Sequence, residues 1–398
     1  MKIVLTLLAS LCLGLGLWLF FRGNASQPKK SSEIEQTPPI VISNWNGYRG
    51  GTSGNPRGAF PNQPALLWSA KVGSNLNGSP AIVGNQLFIG SGDQLVRALD
   101  VQTGLELWSF ETEDVVEATP LIIGDLVIVG SADGLVYALD KNTGSKNWSV
   151  TTEGKVMGSA IAATIGETEA IIVGSYDGIL YALDPNNGHQ IWGYDTGDYV
   201  NGTPLLGQNN LYFGGCDEKV HGVRIEDGIK VYQISVGSPI PGTGSLFKEN
   251  LYVGSHDGKF LALEAESGRV LWELQSKDAF FASAAISDDG LFLAGRDRQA
   301  RFLNPSNGHE LWSRPLRGSV DSSPLIIANK ILVGTKKGKL LCLDRSDGVE
   351  LWSYDCGSPI VGALAYANDV LFVPLQNGSL LAFGRKSSHS SHLSPSKK

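Results

Sequence analysis

Asn77, Glu117, Asn201 and Asp321 stand at equivalent places in a chain that repeats itself about every 40 residues, and their side-chain oxygens could hold a cation or a polar ligand. In the other four copies the position carries Met157, Pro241, Phe281 and Val361. All eight precede the first apolar run of their repeat, so they are expected to ring one mouth of a central channel. A hydrated mouth without a ligand uses the same residues. Cysteine chemistry has less support. Cys12, Cys216, Cys342 and Cys356 are never adjacent and form no Cys-x-x-Cys, so neither a metal site nor a redox motif is indicated. Whether Cys342 and Cys356 pair is left open. The six histidines show no triad-like spacing, and His389 and His392 fall in a Ser- and Lys-rich tail.

The elements that would position these residues follow from one unit, Ala118 to Trp148. Pro120–Ile123 and Leu126–Val129 are short apolar runs separated by Gly124-Asp125, which is a hairpin signal. A third run, Leu135–Leu139, follows Asp133-Gly134, and a fourth ends in Trp148 after Asn142-Thr143-Gly144. The unit therefore predicts four antiparallel strands. Its runs are apolar on consecutive residues, as expected of sheets covered on both faces. Trp68, Trp108, Trp148, Trp192, Tyr232, Trp272, Trp312 and Trp352 repeat at steps of 40, 40, 44, 40, 40, 40 and 40 residues. A four-strand unit at this period predicts propeller blades. Strand triplets begin near Ser79, Thr119, Ser159, Thr203, Thr243, Ser283, Ser323 and Ala363. The fold expected is all-β, an eight-bladed β-propeller in which the N-terminal strand containing Trp68 supplies the outer strand of blade eight. Closure of this kind removes an open sheet edge.

Most units carry Ala-x-Asp, then Gly four residues on and Trp four further. Examples are Asp100, Gly104 and Trp108; Asp140, Gly144 and Trp148; Asp184, Gly188 and Trp192; and Asp344, Gly348 and Trp352. Gly268 with Trp272 and Gly308 with Trp312 keep the second half of the pattern. An Asp before a tight turn accepts backbone N–H bonds, Gly supplies positive φ, and Trp offers a flat surface to the next blade. Blade four departs at three places, with Gly222, Arg224 and Tyr232.

From residue 65 to 384 these motifs resemble the tryptophan-docking motifs of the pyrroloquinoline-quinone-like (PQQ-like) propeller repeat family, whose rings have the quinoprotein alcohol dehydrogenase-like fold. Trp45-Asn-Gly-Tyr-Arg49-Gly50 resembles the Trp-x-x-x-Arg-Gly lead-in of that family and is expected to pack across the ring.

Charge departs from the pattern in blades six and seven. Residues 294 to 340 hold nine basic and three acidic residues, against a net charge of −7 for the whole chain. Phe280, Phe281, Arg296, Arg298, Lys336, Lys337 and Lys339 form a candidate partner surface, with Arg301 in the same basic run. The acidic chain argues against nucleic acid as a partner.

Residues 1–22 contain an apolar run, Ile3 to Phe21, long enough to span a bilayer as an anchor; a signal peptide cleaved near Ala25 is the rival. Residues 23–64 hold a polar, Pro-bearing linker and the lead-in, 65–384 the propeller, and 385–398 a basic tail expected to be disordered.

The resemblance implies an extracytoplasmic protein of the bacterial envelope. One class in the family is the non-enzymatic scaffold, such as the lipoprotein subunit of the outer-membrane β-barrel assembly machine, whose partners are proteins. The other is the PQQ-dependent dehydrogenase, which uses PQQ with calcium and carries an adjacent Cys pair absent here. The scaffold is the expected class, with no cofactor and no catalytic residue. The dehydrogenase or a small-ligand-binding propeller is the alternative.

Overall fold

The computed structural model describes residues 44–51 and 54–386. The anchor or signal segment, most of the linker and residues 387–398 of the tail lie outside the described residues. Among the described residues no helix is long and apolar enough to cross a membrane.

Eight four-stranded antiparallel sheets follow one another along the chain. Seven are built in sequence order, from Ala81–Val83 through Glu106–Glu111 in blade one to Leu325–Ile327 through Glu350–Asp355 in blade seven. The eighth combines Ala365–Ala367, Val370–Pro374 and Ser379–Gly384 with the N-terminal strand Ala65–Lys71. That strand pairs antiparallel to the chain's last one, Ala65 opposite Gly384 and Lys71 opposite Ser379, so the ring closes as the unmatched Trp68 predicts.

The two middle strands of each blade are almost wholly buried, as in Leu126–Gly130 and Leu135–Asp140, because neighbouring blades cover both faces. Outer strands alternate and expose Leu107, Ile191, Leu311 and Leu351.

The docking motif is realised between blades. Trp108 Nε1 donates to the Lys141 carbonyl at 2.9 Å, and its ring lies over Gly144 (φ +72°) of blade two. Trp68, Trp148, Trp192, Trp272 and Trp312 donate in the same way to Val101, Pro185, Ile225, Pro305 and Arg345. Asp140 accepts from the Asn142 and Thr143 amides, which fixes the turn on which the indole rests. Trp352 differs from the expectation, because blade eight has no following turn; its ring packs edge-on against Phe383 at 5.6 Å.

A second inter-blade seam lies at the inner strands. The Ser79 amide donates to Thr119 Oγ1, Thr119 to Ser159 Oγ, Ser159 to Thr203 Oγ1, Thr203 to Thr243 Oγ1, and Ser283 to Ser323 Oγ. Each hydroxyl thereby satisfies a buried amide of the preceding blade.

The lead-in packs across the ring as expected. Trp45 forms a two-way backbone bridge with Ile82 of blade one, and Asn46 O accepts from Ile122 N of blade two. Arg49 is 2% exposed at φ +56° and donates to Ser245 Oγ and the Ala284 carbonyl. Tyr48 Oη bonds both Ser283 and Ser323, and Phe60 meets Tyr366 of blade eight edge-on. From this side the lead-in bonds blades one, two, five, six and seven, and a cavity of about 270 Å³ remains between it and blades two to four.

Candidate functional site

On the other side, the turn between second and third strands of every blade is tied to the connection entering that blade. Ala132 N donates to Val115 O, Tyr176 N to Lys155 O, Arg296 N to Ala279 O and Lys336 N to Ser319 O, with counterparts in the remaining blades. Turns and connections therefore share a face. The eight mouth residues Asn77, Glu117, Met157, Asn201, Pro241, Phe281, Asp321 and Val361 are all half-buried, as equivalent positions around a rim should be.

Of the four candidate oxygen donors, Asn77 and Asn201 are engaged through their amide nitrogens while their Oδ1 atoms are buried without a partner. Asn77 Nδ2 donates to Glu117 Oε1 at 3.1 Å, and Asn201 Nδ2 to the Pro241 carbonyl at 3.4 Å. Asp321 is held by Arg296, whose Nε and Nη2 each donate at 2.9 Å, and by Lys336 Nζ at 3.1 Å. Burial pushes the Asp321 carboxyl up, but the bonds from Arg296 and Lys336 outweigh it and hold the group below the usual carboxylate range. Calcium takes six to eight oxygens. A cation at Asp321 would have to displace two side-chain cations. Among the described residues no group of three or more His, Cys, Asp or Glu could hold a metal ion.

The candidate partner surface divides. The Arg296 guanidinium lies 3.5 Å over the Phe281 ring, and His256 meets that ring edge-on, so Phe281 and Arg296 form one half-buried rim unit. Lys336 joins them through Asp321. Phe280 does not belong to the surface: it is 1% exposed and packs edge-on against Phe260. Its neighbours in register are Val116, Val156, Val200 and Ile240, each lying over a glycine of the preceding blade. The signal was present in the sequence, since the residue before every mouth position is apolar. Arg298 and Lys337 are exposed, and Lys339 bonds Asp355 at 3.0 Å.

Arg301 is likewise withdrawn from the basic rim, because it pairs with Asp297. This pairing was not apparent from the sequence and recurs at a spacing of four. Arg97 bonds Asp93, Tyr137 bonds Asp133, Tyr181 bonds Asp177, and His221 Nε2 lies 3.0 Å from Asp217. The alternating "turn acid, strand partner" register was there to find, but the partner changes chemical type from blade to blade.

Cys216, Cys342 and Cys356 are free, so Cys342 and Cys356 do not pair. Burial pushes the Cys342 thiol up to about 11 and the Cys356 thiol to about 12, which leaves both protonated and unreactive at neutral pH.

Ring, docking turns and lead-in together define a propeller of the PQQ-like repeat class. The chain belongs to the family described as outer membrane protein assembly factor BamB, whose profile matches residues 60–215, 217–328 and 313–392. Among solved structures it is similar to BamB from Moraxella catarrhalis, at 20% identity and TM-score 0.68, covering 81% of this chain and all of that one. It is also similar to the computationally designed protein Ika8, at 17% identity and TM-score 0.71, covering 80% and 99%. Quinohemoprotein alcohol dehydrogenase from Comamonas testosteroni is similar at 14% identity and TM-score 0.73, covering 86% and 81%. At these identities the likeness is one of fold. No curated protein matches the chain.

Proposed function

We propose that this protein is a non-enzymatic scaffold of the bacterial envelope that binds other proteins, in its most concrete form during assembly of outer-membrane proteins. The observation that carries the reading is that the ring's own residues engage both of its faces. Trp45, Tyr48 and Arg49 bond the inner strands from one side, and at the opposite mouth Asp321 is neutralised by Arg296 and Lys336. What the molecule offers is its rim, where Phe281 and Arg296 are stacked, residue types enriched at protein interfaces. Family membership supports the same reading. In this account residues 1–22 hold the propeller at a membrane, or are removed near Ala25.

Co-purification of the full chain with the β-barrel assembly machinery from envelope membranes tests the proposal. Retention through a solubilising wash supports it. PQQ-dependent dye reduction by residues 40–384, with calcium added, would instead select the dehydrogenase.

A further inference from the structure

Grooves open between successive blades, and three of them are lined by equivalent positions of the repeat. The groove between blades two and three has Thr152 and Tyr181 on its floor and Glu153 and Asp177 at its rim. Thr152 Oγ1 donates to the Gly134 carbonyl and the Tyr181 hydroxyl to Asp177, so polar groups close that floor among themselves. Between blades five and six, Arg301 replaces the tyrosine and pairs with Asp297. Between blades six and seven all four positions change. Thr152 becomes Leu316, Tyr181 becomes Leu341, Glu153 becomes Arg317 and Asp177 becomes Lys337.

Both members of the acid–tyrosine pair are lost together, which leaves an apolar floor under a basic rim. Leu316, Leu341 and Leu343 form the floor of a groove of about 350 Å³, and Arg314, Arg317 and Lys339 stand along it. Lys337 packs beside Gly318, directly after Arg317. Among the described residues no carboxylate bridges Arg314, Arg317 or Lys337, and the acid in the groove, Glu350, accepts from Ser353. A volume above about 300 Å³ is in the range of sites that take ligands. An extended chain puts alternate side chains on opposite faces. A segment alternating aliphatic and acidic residues would set its leucines on Leu316 and Leu341 and its carboxylates against the guanidinium groups.

We infer that the groove between blades six and seven binds an extended acidic–aliphatic peptide segment of a partner protein. The inference rests on the scaffold reading and names the chemistry of the partner. It relocates recognition from the Phe281 rim, where Arg296 and Lys336 are committed to Asp321, to Arg314, Arg317 and Lys337, which pair with no carboxylate among the described residues.

The test is fluorescence anisotropy of the full chain with a labelled, end-capped peptide of alternating Asp and Leu. Binding should weaken with salt. It should fall at least tenfold in Arg314→Glu/Arg317→Glu and in Lys337→Asp/Leu341→Tyr. The second variant rebuilds the pair that blade three already accommodates, so its melting temperature should stay near wild type. Lys277→Glu/Arg298→Glu, in the neighbouring groove, should change affinity less than twofold. The inference is overturned by undiminished binding in the rebuilt variant, by an Asp–Ser peptide binding equally well, or by no peptide binding at all. Capture of phosphatidylglycerol vesicles in place of the peptide also overturns it and assigns the groove to membrane. A chain that still co-purifies with the assembly machinery but ignores the peptide loses this inference and keeps the scaffold. One that binds the peptide without co-purifying keeps the groove and loses the assembly role.

Discussion

Asp321 illustrates how a residue with the right atoms for ligand chemistry is diverted to structure. Its carboxylate joins blade seven to Arg296 of blade six, and Arg296 in turn covers Phe281. Asp321→Asn is expected to cost about 1.5–3 kcal/mol at neutral pH, the range for hydrogen bonds to charged groups. Because the folded carboxyl titrates below its unfolded value, the unfolded chain takes up the proton first as pH falls. The contribution is complete above the unfolded value of about 4 and disappears as pH drops through the folded value. Melting temperatures of wild type and Asp321→Asn should thus differ at pH 7 and draw together as the pH falls below about 4; a difference unchanged by pH would refute the charge-based account. Tyr232 predicts the opposite sign. Its hydroxyl is buried without a partner where other blades present an indole N–H to a carbonyl. Tyr232→Phe should be neutral or stabilising by up to about 1 kcal/mol in thermal unfolding, since nothing is lost but an unsatisfied group.

At the scale of the element, the docking turn and the indole that rests on it form the unit of inter-blade cohesion. Trp108 is 8% exposed and packs with Phe88 while capping the turn of blade two. Trp108→Ala should lower stability by about 3–5 kcal/mol. Gly144→Ala should be damaging for a separate reason, since a Cβ there would stand 2.7 Å from Trp108 Cδ2 on a backbone at φ +72°. A melting temperature unchanged in either variant would remove the docking role. These turns were legible in the sequence because one pattern recurs at one period, and so were the blade count and the closing strand. The hydroxyl seam was not, although Ser79, Thr119, Ser159 and Thr203 mark the starts of the strand triplets. A serine or threonine at a strand entry looks like ordinary turn chemistry until the neighbouring blade's amide is seen to point at it. Phe280 and Arg301 were misjudged for a related reason: exposure depends on which side of the strand faces the adjacent blade, and a charge run does not reveal which of its members has a buried partner.

For the whole molecule, the order of the chain makes closure depend on its first described segments. Residues 45–51 and 54–60 pack across the ring and residues 65–71 complete blade eight, so contacts across the ring and closure around it both come from the N-terminal side of the propeller. The two should fail differently. A chain lacking residues 1–60 keeps the closing strand but loses the contacts of Arg49 with Ser245 and Ala284 and of Trp45 with Ile82. It should remain monomeric on size-exclusion chromatography and melt at a lower temperature. A chain lacking residues 1–71 also leaves Ser379–Gly384 as an unpaired, buried-type edge, its Leu380, Leu381 and Phe383 no longer covered by the N-terminal strand. Exposed edges of this kind recruit other chains. That variant should self-associate, and a peptide of residues 63–72 added in excess should restore the monomer by pairing with the open strand. Monomeric behaviour of the longer deletion would show that blade seven and the lead-in alone hold blade eight, and that the N-terminal strand covers an edge which is already secure.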